Sequence, residues 1–176
     1  MSRKATSPEL KDAIDEHLRQ TEQHIERLEE VFDQLDMPAR GRKCDGMKHL
    51  IAEGDEMIGD AEDDATRDAV MIAAAQKVEH YEMAVYGTLR TWASLLGKDD
   101  AASLLEQTLE EEKEADQRLT QIAESHVNQH AAIGAGDEEE EEEEEPMPRG
   151  HRGQARGRAA SRAAAADRSR GGTRRR

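Results

Sequence analysis

Apolar residues between positions 66 and 96 recur at alternating steps of three and four, which is the spacing of one face of a packed α-helix. That face also carries two acids, since it reads Ile72, Ala75, Glu79, Glu82, Tyr86, Leu89, Ala93 and Leu96. The segment 99–130 repeats the pattern, with Leu105, Leu109, Glu112, Asp116, Leu119 and Ala123 on its inward line. A buried carboxylate requires a partner, and a bound cation is a common one. The pattern therefore predicts helices that pack around acidic side chains.

The N-terminal segment also has helical spacing. Ser7 is a favourable N-cap and Pro8 suits the first turn, so the sequence predicts a helix from there to about Asp36. Its predicted inward line is Ile14, Leu18, Thr21, Ile25, Leu28, Phe32 and Leu35.

Three further helices are predicted over about 43–59, 66–96 and 99–130. Gly97 ends the second of these, and an aspartate, Asp99 or Asp100, is expected to cap the third. No segment alternates in polarity as a strand does. The predicted fold class is therefore all-α, an up-and-down bundle whose connections are short enough for neighbouring helices to be antiparallel.

The charge is distributed unevenly along the chain. Its 40 acidic and 25 basic residues give a formal net charge of −15. Residues 137–176 add nothing to that charge, because ten arginines balance Asp137, the run Glu138–Glu145 and Asp167. This segment has almost no large apolar side chains, so we predict a disordered tail. The predicted division is a helical domain at 1–136 and a tail at 137–176.

Composition also restricts the compartment and the partners. Cys44 is the only cysteine, which excludes an intramolecular disulfide and disfavours a thiolate zinc site. The start lacks an apolar signal core, and no stretch approaches the ~18 apolar residues of a membrane span. We therefore expect a cytoplasmic protein, and the acidic composition suggests a salt-rich, halophilic cytoplasm. The acidic domain argues against nucleic-acid binding, although the Arg-Gly pairs of the tail leave such a contact open.

Four carboxylates and one histidine are the candidate metal ligands. Glu79 and Glu82 stand one turn apart on one helix face, and Glu112 and Asp116 do so on the last helix. His17 lies along the inward line of the first helix. Helix bundles that bind iron or manganese use carboxylates of this kind, because these cations prefer oxygen and imidazole ligands.

The same segments allow an interpretation without metal. A second apolar line on the helix 66–96 is formed by Val78, Tyr81, Val85 and Trp92. Burial of that line would leave the acids at a solvated edge. Glu111 could replace Glu112 after a slight rotation, His24 could be a ligand or an ordinary helical histidine, and His80 is expected on another face.

Residues 73–82, Ala-Ala-Ala-Gln-Lys-Val-Glu-His-Tyr-Glu, and residues 86–89, Tyr-Gly-Thr-Leu, resemble the YciE/YciF family of ferritin-like proteins. The resemblance spans about 10–128 and includes His17-Leu18, Thr21, Glu26-Arg27-Leu28, Cys44, Met47, Glu53-Gly54, Thr108-Leu109, Glu111-Glu112-Lys113 and Asp116. It implies a rubrerythrin-like bundle with a short extra helix, a dinuclear iron site and an association with stress responses. As metal positions it carries over Glu79, Glu82, Glu112 and Asp116, and it allows His17.

The sequence departs from the family in its N-terminal region. Family members usually begin with another helix that carries an inward Glu, and this chain starts after it. They often have Glu at the position of Gln20 and Gln at that of His24. We expect an exposed apolar seam that favours a homodimer, in which two copies complete one another; alternatively, the natural start lies upstream.

Two functions fit these observations. The first is a ferritin-like metal-binding protein that oxidises Fe(II) with oxygen or peroxide, and the inward acids on two helices favour it. The alternative is a metal-free helical stress or interaction protein with a degenerate site. The shortened start and Gln20 favour the second function.

Overall fold

The computed structural model describes residues 1–134, and every regular element in that range is helical. A 3₁₀ turn at Ser2–Lys4 precedes the four main helices, which are α1 Pro8–Gln34, α2 Asp45–Asp60, α3 Asp64–Leu95 and α4 Asp99–Ile122. A π-helical turn, Ala123–Val127, follows α4, and residues 128–134 continue it as helix. The all-α prediction is confirmed. The predicted tail at 137–176 lies outside the described residues.

Side chains define where the first three helices begin. Ser7 Oγ accepts the N–H of Leu10 at 3.3 Å, and Pro8 occupies the first turn of α1, both as predicted. Cys44 Sγ and Asp63 Oδ1 accept N–H groups in the first turns of α2 and α3, at 3.4 Å and 2.8 Å. These contacts satisfy amides that have no partner within their own helix.

The start of α4 differs from the prediction. Lys98 occupies the N-cap position without a side-chain hydrogen bond, and Asp99 and Asp100 lie inside the first turn. The prediction that one of these aspartates caps the helix is therefore wrong, although their charges favour the positive end of the helix dipole. Gly97 ends α3 as predicted, because its φ of 69° is accessible to glycine without strain.

The helices pack in the order α1, α4, α3, α2, with α3 against α4 as the most extensive contact. Neighbours are antiparallel, since Arg27 near one end of α1 bonds Thr108, while Glu16 near the other end pairs with Arg118. Within residues 1–134, no helix is both long and apolar enough to cross a membrane.

The core consists of two apolar clusters with a polar layer between them. The first cluster contains Leu10, Ala13, Ile58, Met71, Ile72, Ala74, Leu119, Ile122, Ala123 and Val127. The second contains Val31, Tyr86, Ala93, Ala101, Ala102, Leu105 and Leu109. His24, Glu79 and Glu112 are buried between the two clusters, on α1, α3 and α4 respectively. The bundle therefore encloses acids and a histidine at mid-height.

The predicted inward line of α1 is partly wrong. Leu18 and Ile25 are each 57% exposed, whereas the buried residues of the helix are Leu10, Ala13, His24 and Val31. Among the main helices α1 packs extensively only on α4, so it buries a narrow strip that faces that one neighbour. Leu96, also expected to face inward, follows the end of α3 and is 76% exposed.

Gly54 allows α2 to approach α3 closely. A Cβ at this buried position would lie 3.0 Å from Ala74 Cβ, whereas a Cβ at Gly59 would meet nothing within 4 Å.

We expect Gly54→Val to lower the free energy of unfolding by about 1–3 kcal/mol, because Ala74 cannot rotate away from the clash. Gly59→Val is the matched control, and urea denaturation is the measurement. Equal midpoints for the two variants would contradict the close approach of α2 and α3.

Candidate metal centre

The polar layer draws its side chains from three helices. His17 and His24 stand seven residues apart on α1 and therefore share a face, and Glu79 and Glu82 stand three apart on α3. Glu112 enters from α4 and is 0% exposed. Each of these residues lies between positions that belong to the two apolar clusters, so the clusters fix the height at which the side chains meet.

His17, Glu79 and Glu112 form a compact group. His17 Nε2 lies 3.3 Å from Glu79 Oε1 and 3.5 Å from Glu112 Oε2. One ligand atom from each residue falls within 4.8 Å of the other two. The structure thus brings together three of the five predicted metal ligands.

His17 Nδ1 is held by a contact on α1, so that Nε2 is the nitrogen that faces the acids. His17 Nδ1 lies 3.2 Å from Gln20 Oε1, one turn further along α1. An amide oxygen only accepts hydrogen bonds, so Nδ1 donates to Gln20 and Nε2 is the nitrogen that faces the two carboxylates. A proton or a cation between Nε2 and the carboxylate oxygens would stabilise this contact.

His24 is buried beside the same carboxylate. Its Nδ1 lies 3.2 Å from Glu112 Oε1, and its Nε2 lies 2.7 Å from Glu111 Oε2. Arg27 holds Glu111 with two hydrogen bonds of 2.9 Å and 3.0 Å. Glu111 is therefore paired with Arg27 and His24, and it does not take the place of Glu112.

Three carboxylate oxygens in the layer are buried without a hydrogen-bond partner: Glu79 Oε2, Glu112 Oε1 and Glu112 Oε2. Burial, followed by the neighbouring Glu112, raises the pKa of Glu79 to about 9. The same two causes raise the pKa of the half-buried Glu82 to about 7. Groups of this kind are costly to bury alone, and a cation among them would offset their charge.

The residues of the group are suitable metal ligands. Ligand atoms bound at about 2.1 Å to one ion are ~3.0–3.4 Å apart, close to the separations around His17 Nε2. Imidazole nitrogen together with carboxylate oxygen suits iron, manganese or zinc. A cavity of about 660 Å³ adjoins the group and is lined by His17, Glu79 and Glu82 with apolar side chains such as Ile14 and Val78. Small molecules therefore have a route to the acids.

Two predicted ligands lie outside the compact group. Asp116 Oδ1 accepts a hydrogen bond from Gln76 at 3.0 Å and lies 3.2 Å from His80 Nε2, towards the surface. The ring of His80, which was expected on another face of α3 than Glu79, is exposed and contacts Asp116 of α4 towards the surface. Glu82 lines the cavity one turn from Glu79.

The residues that orient the two histidines were not predicted from the sequence. Gln20 follows His17 by three positions, and Arg27 follows His24 by three, so each supporting residue lies one turn along α1. The three-residue interval was the available signal. The role of Arg27 depends on its contact with Glu111 of α4, and no spacing within α1 predicts that contact.

The fold and the site define a class of protein, a helix bundle with buried carboxylates and a buried histidine between two apolar clusters. Comparison with known proteins assigns the family. Residues 1–132 match the family described as "Domain of unknown function (DUF892)", and the chain belongs to that family. It is 45% identical over 132 residues to "Protein YciF" of Escherichia coli (strain K12), covering 74% of this chain and 80% of the relative. The predicted YciE/YciF resemblance is confirmed.

Two solved structures agree with this assignment. The crystal structure of the E. coli stress protein YciF has a TM-score of 0.69 and 45% identity, covering 72% of this chain and 80% of that one. "YcfI, a putative structural protein from Rhodopseudomonas palustris" has a TM-score of 0.66 and 42% identity, covering 68% and 76%. The chain thus shares both its fold and its family with a stress protein.

Without metal, the stability of the protein should fall as the pH rises from about 5 to 9. The folded state keeps a proton on Glu79 up to about pH 9, whereas the unfolded state releases it near 4.5, so folding binds a proton in this range. The stabilisation from Glu79 is complete below pH 4.5, the pKa in the unfolded state, and is lost as the pH rises through about 9, the pKa in the folded state. In chelator-treated protein, the unfolding free energy should fall less between pH 5 and 9 in Glu79→Gln than in the natural protein. We expect this difference to exceed ~1.4 kcal/mol, the free energy that corresponds to one pKa unit. Urea denaturation at several pH values measures it, and parallel curves for the two proteins would contradict it.

Proposed function

We propose that this protein is a ferritin-like metal-binding protein that holds iron, or manganese in its place, at His17, Glu79 and Glu112. The observation that carries the proposal is the set of three buried carboxylate oxygens without a hydrogen-bond partner, which lie near His17 Nε2. A divalent cation beside His17 would offset two negative charges and would give the carboxylates of Glu79 and Glu112 a partner.

The arrangement also supports a ferroxidase-like role. Bound iron supplies one-electron chemistry with oxygen or peroxide. The chain contributes two carboxylates and an imidazole that hold the ion, and apolar residues such as Ile14 and Val78 that limit water in the adjoining cavity. Three protein ligands leave coordination positions for an oxidant, as catalytic metal sites require.

Anaerobic loading with Fe(II), removal of free iron and elemental analysis tests the proposal. We expect stoichiometric iron in the natural protein and at least ~10-fold weaker binding in Glu79→Gln with Glu112→Gln, since two ligands are lost. The matched control is Glu110→Gln with Glu114→Gln, which changes the charge equally at exposed positions of α4. Iron retained by the first double variant would refute the site. Ferric absorbance after admission of oxygen then tests for oxidation.

A metal-free stress or interaction protein is the second candidate function. The pKa of Glu79, about 9, favours it, because a proton on this carboxyl relieves the repulsion from Glu112 at neutral pH. The relative from E. coli is described as a stress protein, which is consistent with either function. Helical protein that takes up neither iron nor manganese would support this candidate.

We also propose a cytoplasmic location. The exposed, free Cys44 is consistent with the reducing conditions of that compartment.

We further propose that two copies associate over the cavity. Leu18 and Ile51 border it and remain 57% and 51% exposed, so a second copy would remove apolar surface from water. Sedimentation velocity should give a dimer for the natural protein and a monomer for Leu18→Lys with Ile51→Lys. Glu22→Lys with Glu56→Lys, at exposed acids of the same two helices, is the control for added charge. A natural protein that sediments as a monomer at high salt would contradict the association.

A further inference from the structure

We propose that a zinc ion binds at one end of the bundle, on His126, His130 and Glu9. This site is separate from the polar layer and does not depend on the proposed function. His126 lies fourteen residues after Glu112, which is about 21 Å along the last helix at a rise of ~1.5 Å per residue.

The two histidines stand one turn apart in the helical segment that follows α4. His126 belongs to the π-helical turn, and His130 lies in residues 128–134, which continue that turn as helix. An interval of four places both rings on one helix face, and paired histidines bind zinc from this spacing. Turns of the π type are rare and occur frequently at functional sites.

The two rings are already close to each other. Their centroids lie 6.0 Å apart, with an interplanar angle of 64°. Two imidazoles that bind one tetrahedral ion through nitrogens at about 2.1 Å have centroids ~5 Å apart. His130 is exposed, so its ring can turn towards His126 and close this difference.

Glu9 brings a carboxylate to His126 from the start of α1. Its Oε2 lies 3.6 Å from His126 Nε2, close to the ~3.4 Å between two ligand atoms of one tetrahedral ion. Ser7 Oγ donates to the same oxygen at 3.1 Å and lies 3.2 Å from His126 Nε2. The N-cap of α1 therefore holds the carboxylate beside the ring.

Ser125 orients the ring of His126. Its Oγ donates to the carbonyl of Ile122 at 3.1 Å and lies 2.8 Å from His126 Nδ1. A hydroxyl has one proton, so Ser125 accepts from Nδ1, and Nε2 is the nitrogen that faces Glu9. A hydrogen bond on one ring nitrogen commonly fixes the tautomer of a metal-binding histidine.

The charge around the two histidines favours a cation. They line a cavity of about 440 Å³ together with Glu9, Asp64 and Asp68. Among the described residues that line this cavity, these three acids have no lysine or arginine beside them. Two imidazoles and one carboxylate suit zinc better than manganese, and the cavity has room for water as a further ligand.

Glu9 is the acid of this cavity that faces the histidines. Asp64 pairs with Arg67 of its own helix, and the buried Asp68 accepts the N–H of Ser7 at 2.7 Å. These two carboxylates are therefore held by other groups, and their charges attract the ion without binding it.

Zn(II) binding to the full, chelator-treated chain tests this site by isothermal titration calorimetry. We expect the natural protein to bind one Zn(II) more than His126→Gln with His130→Gln does. Each single variant should bind that ion at least ~10-fold more weakly, because a ligand is lost. His49→Gln, at an exposed histidine of α2, is the matched control.

Two further measurements make the test specific. Glu9→Gln should weaken the same ion, and Glu22→Gln, at an exposed acid of α1, is its control. Circular dichroism checks that each variant is folded, and Glu9→Gln keeps the test decisive if a histidine variant unfolds. Zn(II) should also raise the melting temperature of the natural protein more than that of the double histidine variant, since the ion joins the start of α1 to the last helix.

The outcomes separate this site from the polar layer. An ion lost in the double histidine variant and retained in Glu79→Gln with Glu112→Gln supports the site. Equal stoichiometry and affinity in the natural protein and the double histidine variant would overturn it; His126 would then be an ion-paired cation beside Glu9. Loss of this ion in Glu79→Gln with Glu112→Gln would also overturn it, because the zinc would belong to the polar layer.

Discussion

Glu79 and Glu112 face each other in the interior of the bundle, and their mutual repulsion is the constraint around which the surrounding residues are arranged. Three of their four oxygens have no hydrogen-bond partner, and both residues are at most 3% exposed. A pair of unpaired buried carboxylates is costly to fold. The apolar clusters above and below hold α3 against α4, so the two acids cannot separate to reach water. A proton or a cation must therefore accompany the folded state.

The residues around these acids favour the cation that we propose. Gln20 orients His17, and Glu111 with Arg27 orients His24, so both rings direct a nitrogen towards Glu112. A proton alone would satisfy one carboxyl and would not explain two histidines held at matched distances from one carboxylate.

Much of this arrangement could be predicted from spacing within single helices. Glu79 and Glu112 share inward lines with apolar residues, which favoured their burial, although the second apolar line on the helix 66–96 left a solvated position open. Leu18 and Ile25 were placed on the inward line of α1 by their spacing. Within the described residues, no main helix packs extensively on the side of α1 that carries them, and both are exposed. The role of His24 was left open by the sequence, because its burial depends on residues of α4 that only the packed structure brings near.

Asp116 is the clearest case in which periodicity was insufficient. It continues the inward line of α4, yet the line drifts towards the surface and its carboxylate contacts Gln76 and His80. A helical stripe predicts a face of the helix and does not predict which of its members converge with residues of other helices.

The most direct test of the metal centre is X-ray diffraction from crystals of the full chain grown with Mn(II), with data collected to locate manganese by its anomalous signal. We predict anomalous density within coordination distance of His17 Nε2, Glu79 and Glu112, inside the polar layer. Manganese found only at exposed acids, with Glu79 and Glu112 in contact with each other through a shared proton, would contradict it.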